Sequence, residues 1–474
     1  MSGFSVMSKE PSIIWAADRL INKRIDSNYY HIKYIEYLDT IVNCGLDCKP
    51  FEDICKRMNS GPFGSALLAS AYVEKGVPFI RPLNCKNFIV EDNELVFISN
   101  EDSIRLKSSR FNSGALIITK IGNGIGDVAI IPRKNDKCNI SGNLMGVEIK
   151  NSYDNYFVLS FLKSKYGQNQ IWQGMMNSAK PKIDMDTIRS IQIPIPSAEI
   201  QKYIGDKVRR AEELREEAKA AKKDYEYIIQ DIYSDSNIIK FPKGFYTVQS
   251  HDFDDKHLRI DSNFYNPLYK NGKLNSYKNV KLSKLVDLKK NCKIQAEEEY
   301  AYFEIGDLST SNILDEKERV KGSELPGRAK LKLEKNDIIV SLVQESIEVT
   351  SYVDKELNNT LTTNGCAVLI PRDKSLSGYL YAIISSKYFI AQKCRYISGT
   401  NIRSMSKDDL LDMKIPIVED EIITKVNGLV LKEFTCLRES KQLIQEAKQD
   451  VEDLIEGKFD MSKLNNESST ESRC

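Results

Sequence analysis

The chain has little of what catalysts and metal proteins are usually built from. It holds three histidines, and its ten cysteines include no Cys-x-x-Cys pair. Cys44 and Cys48 lie nearest to one another, so neither a zinc set nor a disulfide framework assembles, and reduced structural thiols are expected. No Gly-x-x-x-x-Gly-Lys-Ser/Thr loop occurs, which excludes a nucleotide motor of that kind. The absence of any Pro-Pro dipeptide leaves Tyr265-Asn266-Pro267-Leu268 as only a partial copy of the Asn-Pro-Pro-Tyr motif of amino-methyltransferases. His31, His251 and His257 sit beside two copies of one motif, where surface or capping roles suit them better than a Ser-His-Asp set. No run of 18 apolar residues spans a bilayer, and the first 24 residues lack a signal-type apolar stretch, so a cytoplasmic placement is expected. A net charge of +1 excludes polyanion binding through bulk charge, leaving local patches to do it.

What the chain does have, it has twice. Arg24-Ile25-Asp26-Ser27-Asn28 returns as Arg259-Ile260-Asp261-Ser262-Asn263, an offset of 259 − 24 = 235. Ser164-Lys165-Tyr166 and Ile193-Pro194-Ile195 return as Ser386-Lys387-Tyr388 and Ile415-Pro416-Ile417, both at offset 222. The first copy is therefore about 13 residues longer, in a stretch ending near residue 114. A repeat this long is a duplicated domain rather than a solenoid unit. A length of 474 residues, 41% apolar and 28% charged, suits two soluble α+β domains with proper cores.

Taken in order, Asp26 or Ser27 is expected to cap a helix with Tyr30, Tyr34, Leu38 and Ile41 on its apolar face. Gly61-Pro62-Phe63-Gly64-Ser65 is a turn signal, followed by short strands. Gly122-Asn123-Gly124-Ile125-Gly126 joins two β-branched runs, which makes it a hairpin turn rather than a phosphate cradle. Helical pattern resumes at 156–172. The strongest helix runs over 198–235, with Ile204, Val208, Ala211, Leu214, Ala218, Ala221, Tyr225, Ile228 and Ile232 at steps of three and four. Its repeat runs over 419–455 through Val426, Val430, Phe434, Leu437, Ile444, Ala447, Val451 and Leu454. Stripes so narrow suit a coiled-coil seam, and the two helices are expected to pack on each other as an antiparallel pair. The division expected is a first domain over 1–196, a spacer helix over 197–236, a linker over 237–258, a second domain over 259–417, a second spacer helix over 418–456 and a disordered tail over 457–474.

Local charge points to a polyanion. Lys387, Lys393, Arg395, Arg403 and Lys407 fall in a stretch free of acid and interleaved with Tyr388, Phe389 and Tyr396, and Lys165, Lys180 and Lys182 occupy the matching stretch with Tyr166 and Trp172. With Asn177, Ser178, Thr400 and Asn401 beside them, these suit phosphate contacts and some base-edge contacts.

The Gly61-Pro62-Phe63-Gly64-Ser65 loop, the Ile-x-Ile-Pro-x-Pro pattern before a long charged helix, and the domain-helix-domain-helix order over about 24–456 resemble the specificity subunits of type I restriction-modification systems. The second copy departs from the pattern, with Leu288-Lys289-Lys290-Asn291 near the place of the glycine loop and Val418 in place of the second proline. The resemblance implies two mixed α/β target-recognition domains, each reading one half of a bipartite asymmetric sequence on double-stranded DNA. It implies helices that set the spacer and dock two methyltransferase (modification) subunits, with restriction or translocase subunits where present, and no membrane. S-adenosylmethionine, ATP and Mg are then expected on those partners, and no cofactor or catalytic residue in this chain. Residues expected on DNA are Gly64, Ser65, Arg81, Asn84, Asn123, Lys180 and Lys182 in the first copy. In the second they are Lys289, Lys290, Lys293, Arg395, Thr400, Asn401 and Arg403. A helix of about 34 residues is about 50 Å long, which limits the half-sites to about one and a half duplex turns apart. Residues 1–240 alone are expected to dimerise through their single long helix and specify a symmetric site. The competing readings are a protein-interaction scaffold and, less well supported, a DNA methyltransferase.

Overall fold

The computed structural model describes residues 4–9, 12–16, 29–62, 66–92, 94–122, 124–175, 181–233, 264–265, 277–309, 313–315, 317–399, 401 and 403–467. The chain packs as two units, residues 1–213 with 440–474, and residues 214–439. The long helices, Ala198–Ile232 and Asp420–Ile455, each contribute one half to either unit. They are thus parts of the two cores rather than free-standing spacer segments.

In the first unit, the opening helix Ile32–Val42 buries Tyr34, Ile35 and Ile41, and its cap is His31, whose ring accepts from Lys33 N. The expected caps, Asp26 and Ser27, lie outside the described residues. One four-stranded sheet runs in the order Cys55–Ser60, Leu144–Ile149, Leu116–Thr119, Val128–Ile130, antiparallel throughout. The last pairing makes the glycine stretch a hairpin turn, as its flanking β-branched runs require. A second sheet runs Val96–Ile98, Val77–Ile80, Lys137–Ile140, Arg110–Asn112, with one parallel pair at its centre. Gln192–Ile195 pairs with Asp47–Pro50 and leads into the first long helix. There Ile204, Val208 and Ala211 share a core with Ile444, Ala447, Val451 and Ile455. Ser440 Oγ donates to the Ala211 carbonyl at 2.8 Å, and Lys207 Nζ reaches Asp450 at 2.5 Å. Rising numbers on one helix meet falling numbers on the other, so the pair is antiparallel. Phe459 stacks edge-on against Tyr203, and Leu464, on the short helix Ser462–Glu467, packs on the same core. Residues 457–467 are therefore not a disordered tail; two apolar anchors hold an otherwise polar stretch.

The second unit repeats this order strand for strand. Val286–Leu288, Cys366–Pro371, Ile338–Ser341 and Thr350–Tyr352 form one sheet, and Arg319–Lys321, Glu299–Phe303, Thr360–Thr363 and Ala329–Lys332 the other, again with one parallel pair. Lys278–Lys281 pairs with Lys414–Ile417 before the second long helix. Tyr225, Ile229 and Ile232 share its core with Val426, Val430 and Phe434.

The two units cap equivalent helices by different means. Asp154 caps Asn155–Lys163 by accepting from Tyr156 N and Phe157 N, and Gly205 makes room for that carboxylate on the long helix. Position 205 + 222 = 427 is Asn427, whose side chain reaches across to accept from Tyr379 N at 2.7 Å, and here it is Gly378 that makes room. A cap is worth about 1 kcal/mol, and it has moved from the loop to the long helix.

Candidate nucleic-acid interface

Strand Leu116–Thr119 ends at Lys120, and three loops meet there. Lys120 Nζ donates to Ser60 Oγ at 2.9 Å, beside the start of the Gly-Pro-Phe-Gly-Ser loop. Gly61 lies so close to the next loop that a Cβ would sit 2.1 Å from the Ser141 carbonyl oxygen, which explains a glycine at this backbone crossing. The Lys120 carbonyl accepts from Ile183 N at 3.0 Å, and Ile121 bridges Lys182, so exposed Lys182 is carried to the hairpin turn. Gly122 and Gly126 take φ of +112° and +86° in that turn. Gln168 donates to the Gly126 carbonyl at 3.0 Å from the helix that also bears Trp172, which is 41% exposed. Burial lowers the Lys120 ammonium from its ordinary value. The cluster thus offers two lysines, a hydroxyl and an exposed indole, the means to hold phosphate and press on bases or sugars.

The second unit builds the same frame. Leu342 stands at Lys120's place (120 + 222), its carbonyl accepts from Met405 N at 2.9 Å, and Val343 bridges Ser404 as Ile121 bridges Lys182. The turn differs: Gln344, Glu345, Ser346, Ile347 and Glu348 replace the glycine-rich one. Gln344 N donates to the Arg403 carbonyl at 2.9 Å, and a fully buried lysine, Lys393, donates to the Ile347 carbonyl at 2.5 Å. Burial brings its ammonium down to about 8. Lys393 occupies the position of Ile171 in the first unit (171 + 222). Half-buried Arg403 and exposed Asn401 stand in a loop closed by the Ser398–Ser404 bridge.

Of the residues expected on DNA, Lys182, Asn401 and Arg403 lie at these frames, and Lys290 and Lys293 are exposed just beyond strand Val286–Leu288. Gly64, Ser65, Asn123, Lys180 and Thr400 lie outside the described residues. Four are corrected. Asn84 is fully buried and bonds its own loop, accepting from Arg81 N and donating to the Glu91 carbonyl. Arg81 spans the same loop to the Glu94 carbonyl at 2.5 Å. Lys289 is held between Glu334 and Asp337 at 2.7 and 2.9 Å. Arg395 lies over the Phe264 ring and donates to its carbonyl at 2.9 Å. Lys165, in the basic stretch of the first copy, is likewise bound to Glu456 at 2.5 Å, and with Lys458 it holds that carboxyl down to about 2. Lys120 is not among the residues expected on DNA, and Lys393, expected with its basic stretch to suit phosphate contacts, is instead fully buried. A charged residue ending an apolar strand was the available signal for Lys120, whereas Lys393 looked like one of several surface cations.

Among the described residues, no group of three or more His, Cys, Asp or Glu is placed to hold a metal ion, and no helix is long and apolar enough to cross a membrane. The type I restriction modification DNA specificity domain matches residues 51–228 and again 268–449, well over half of the chain. The chain belongs to the type I restriction-modification DNA specificity family. No curated protein matches it. Among solved structures, a type I restriction-modification S subunit from M. genitalium is 13% identical, with 88% of this chain and 97% of that one covered and a TM-score of 0.45. The HsdS subunit from Thermoanaerobacter tengcongensis is 14% identical, with 88% and 97% covered and a TM-score of 0.30. This specificity chain thus carries two DNA specificity domains, and their matched limits run into both long helices.

Proposed function

We propose that each unit reads one half of a split, asymmetric DNA sequence, the first through the loops around Lys120 and Lys182 and the second through those around Arg403. The observation that carries this is a backbone frame built twice and dressed with different side chains: lysine and glycine on one turn, glutamine and glutamate on the other. Phosphate contacts alone would not require that divergence, since phosphates carry no sequence. Exposed Glu345 is a group that discriminates bases, its carboxylate accepting from cytosine N4. The paired long helices set the distance between the half-sites and dock modification subunits, with restriction subunits where present. Methyl transfer and ATP-driven steps, with S-adenosylmethionine, ATP and Mg, belong to those partners, and this chain is non-catalytic.

The test is single-molecule sequencing of methylated bases in the source genome with the gene intact and deleted. Loss of one split motif on deletion is the expected result; unchanged methylation in a strain that expresses the gene overturns it. Inserting one helical turn near Ala218 is expected to lengthen the unspecified spacer and leave both half-sites as they were, and an unaltered spacer would remove the ruler from the reading.

A further inference from the structure

The long helices are copies of each other, so each position on one has a counterpart on the other at 222, and a contact in one unit has an equivalent in the other. Two buried contacts break that equivalence. In the first unit Lys207 reaches Asp450 at 2.5 Å, with side chains 12% and 3% exposed. The equivalent positions, 207 + 222 and 450 − 222, are Leu429 and Ile228, both packed against the second unit's core. In the second unit Tyr225 donates to Glu433 at 2.8 Å, with both residues buried. The positions equivalent to these, 225 + 222 and 433 − 222, are Ala447 and Ala211, both fully buried in the first unit's core.

We infer that the two halves of the chain are keyed to each other through these two non-equivalent polar locks, so that either half takes the other, and not a second copy of itself, as its partner. Two first halves placed in the same antiparallel register would set Lys207 against Ile228, and Tyr225 into the space Ala447 fills beside Ala211. Only Glu446, the outer partner of Lys207 at 3.5 Å and 42% exposed, has an acidic counterpart there, Asp224. Two second halves would set Glu433 against Ala447, and Asp450 against Leu429 with only Lys463 of its own half retained. Each homodimer therefore meets a buried charge without its partner or a tyrosine where two alanines fit, and it meets the fault twice by symmetry. Stripping one partner from a buried ion pair shifts an equilibrium on the order of a hundredfold or more, whereas a matched apolar pair in its place is tolerated. A single polar pair in an apolar seam is how helices choose partner and register. This replaces the expectation that residues 1–240 form a symmetric dimer.

The test uses the full chain with a protease site between residues 240 and 241, cut after purification and mixed with an isotopically heavy copy. Native mass spectrometry then counts first–first, first–second and second–second pairs, and mixed-label first–second pairs report that exchange has occurred. The cut native chain is expected to remain first–second by about a hundredfold over either homodimer. The chain carrying Lys207→Leu, Asp450→Ile, Tyr225→Ala and Glu433→Ala, which makes these four seam positions match their counterparts, is expected to move toward a statistical mixture by about tenfold or more. Scrambling of the native chain, or strict first–second pairing in the variant under exchange, overturns the inference. Where that variant fails to fold or exchange is not seen, urea unfolding of the intact chain decides. Lys207→Leu and Asp450→Ile should each lower the folding constant by about tenfold or more and together restore most of it; additive losses overturn the lock. Neither measurement involves DNA, so its outcome is separate from that of the half-site reading.

Discussion

The turn after Lys120 and the turn after Leu342 hang from the same two backbone links, yet one holds its shape with glycines and the other with a lysine. In the first unit Gly126 leaves room for Ile171, which an added Cβ would approach to 3.2 Å, and the neutral amide of Gln168 donates to the Gly126 carbonyl from the surface. In the second the residue at Ile171's position is Lys393, and an ammonium bound to the Ile347 carbonyl does the same work from inside. The frame is constrained because it is made of main-chain bonds between the turn and the 182 or 404 loop. The side chains facing outward are not so constrained, which is what a protein reading two different sequences with one architecture requires.

The comparison can be broken most severely at the backbone crossing of the first unit. Gly61→Ala puts a Cβ within 2.1 Å of a main-chain oxygen, and neither neighbour is a flexible side-chain end. A loss of about 2–4 kcal/mol is expected, with recognition of the first half-site abolished and the second retained, read by methylation of DNA carrying altered half-sites. Equal loss at both half-sites would show that the crossing serves the whole chain.

The buried lysine sharpens the contrast through pH. With its folded value near 8 and its unfolded value near 10.4, Lys393 is protonated in both states below about pH 8. Between there and about pH 10 the unfolded chain keeps a proton the folded chain has released, so this group makes stability rise with pH. Lys393→Met is expected to remove on the order of 1–2 kcal/mol of that rise between pH 8 and pH 10. Parallel pH dependence in native and variant urea titrations would show that the ammonium is not held as the structure places it. The variant should also weaken second half-site binding alone, since Ile347 loses its tether.

The duplicated order, both long helices and the hairpin were legible because each rests on periodicity or on β-branched runs around glycines, signals local to a few residues. The packing of the 457–464 stretch is not legible in the sequence, because Phe459 and Leu464 are apolar residues among polar ones and only the core they meet gives them meaning. Arg395 and Lys289 were counted as cations free for DNA because charge is visible in a sequence and its neutralisation is not. The partners lie far off along the chain, Phe264 for one and Glu334 and Asp337 for the other. Asn84 failed for a related reason: an amide that satisfies its own loop looks like one that reads a base.

The smallest effect on fold stability is expected at Lys182 and Arg403, two of the cations left on the surface. Lys182 and Arg403 sit at the open side of equivalent bridges, one exposed and one half-buried, and the residues differ between the copies. If each touches one phosphate, Lys182→Ala and Arg403→Ala should each lower the slope of log binding constant against log salt by about one unit in the assembled complex. Arg403 can also fork onto guanine, which lysine at 182 does less specifically. Arg403→Ala should then relax the second half-site at one position by about 1–3 kcal/mol, whereas Lys182→Ala weakens all sequences alike. A slope change without a change in preference at both positions would make the two loops equivalent anchors and move base reading to the turns themselves.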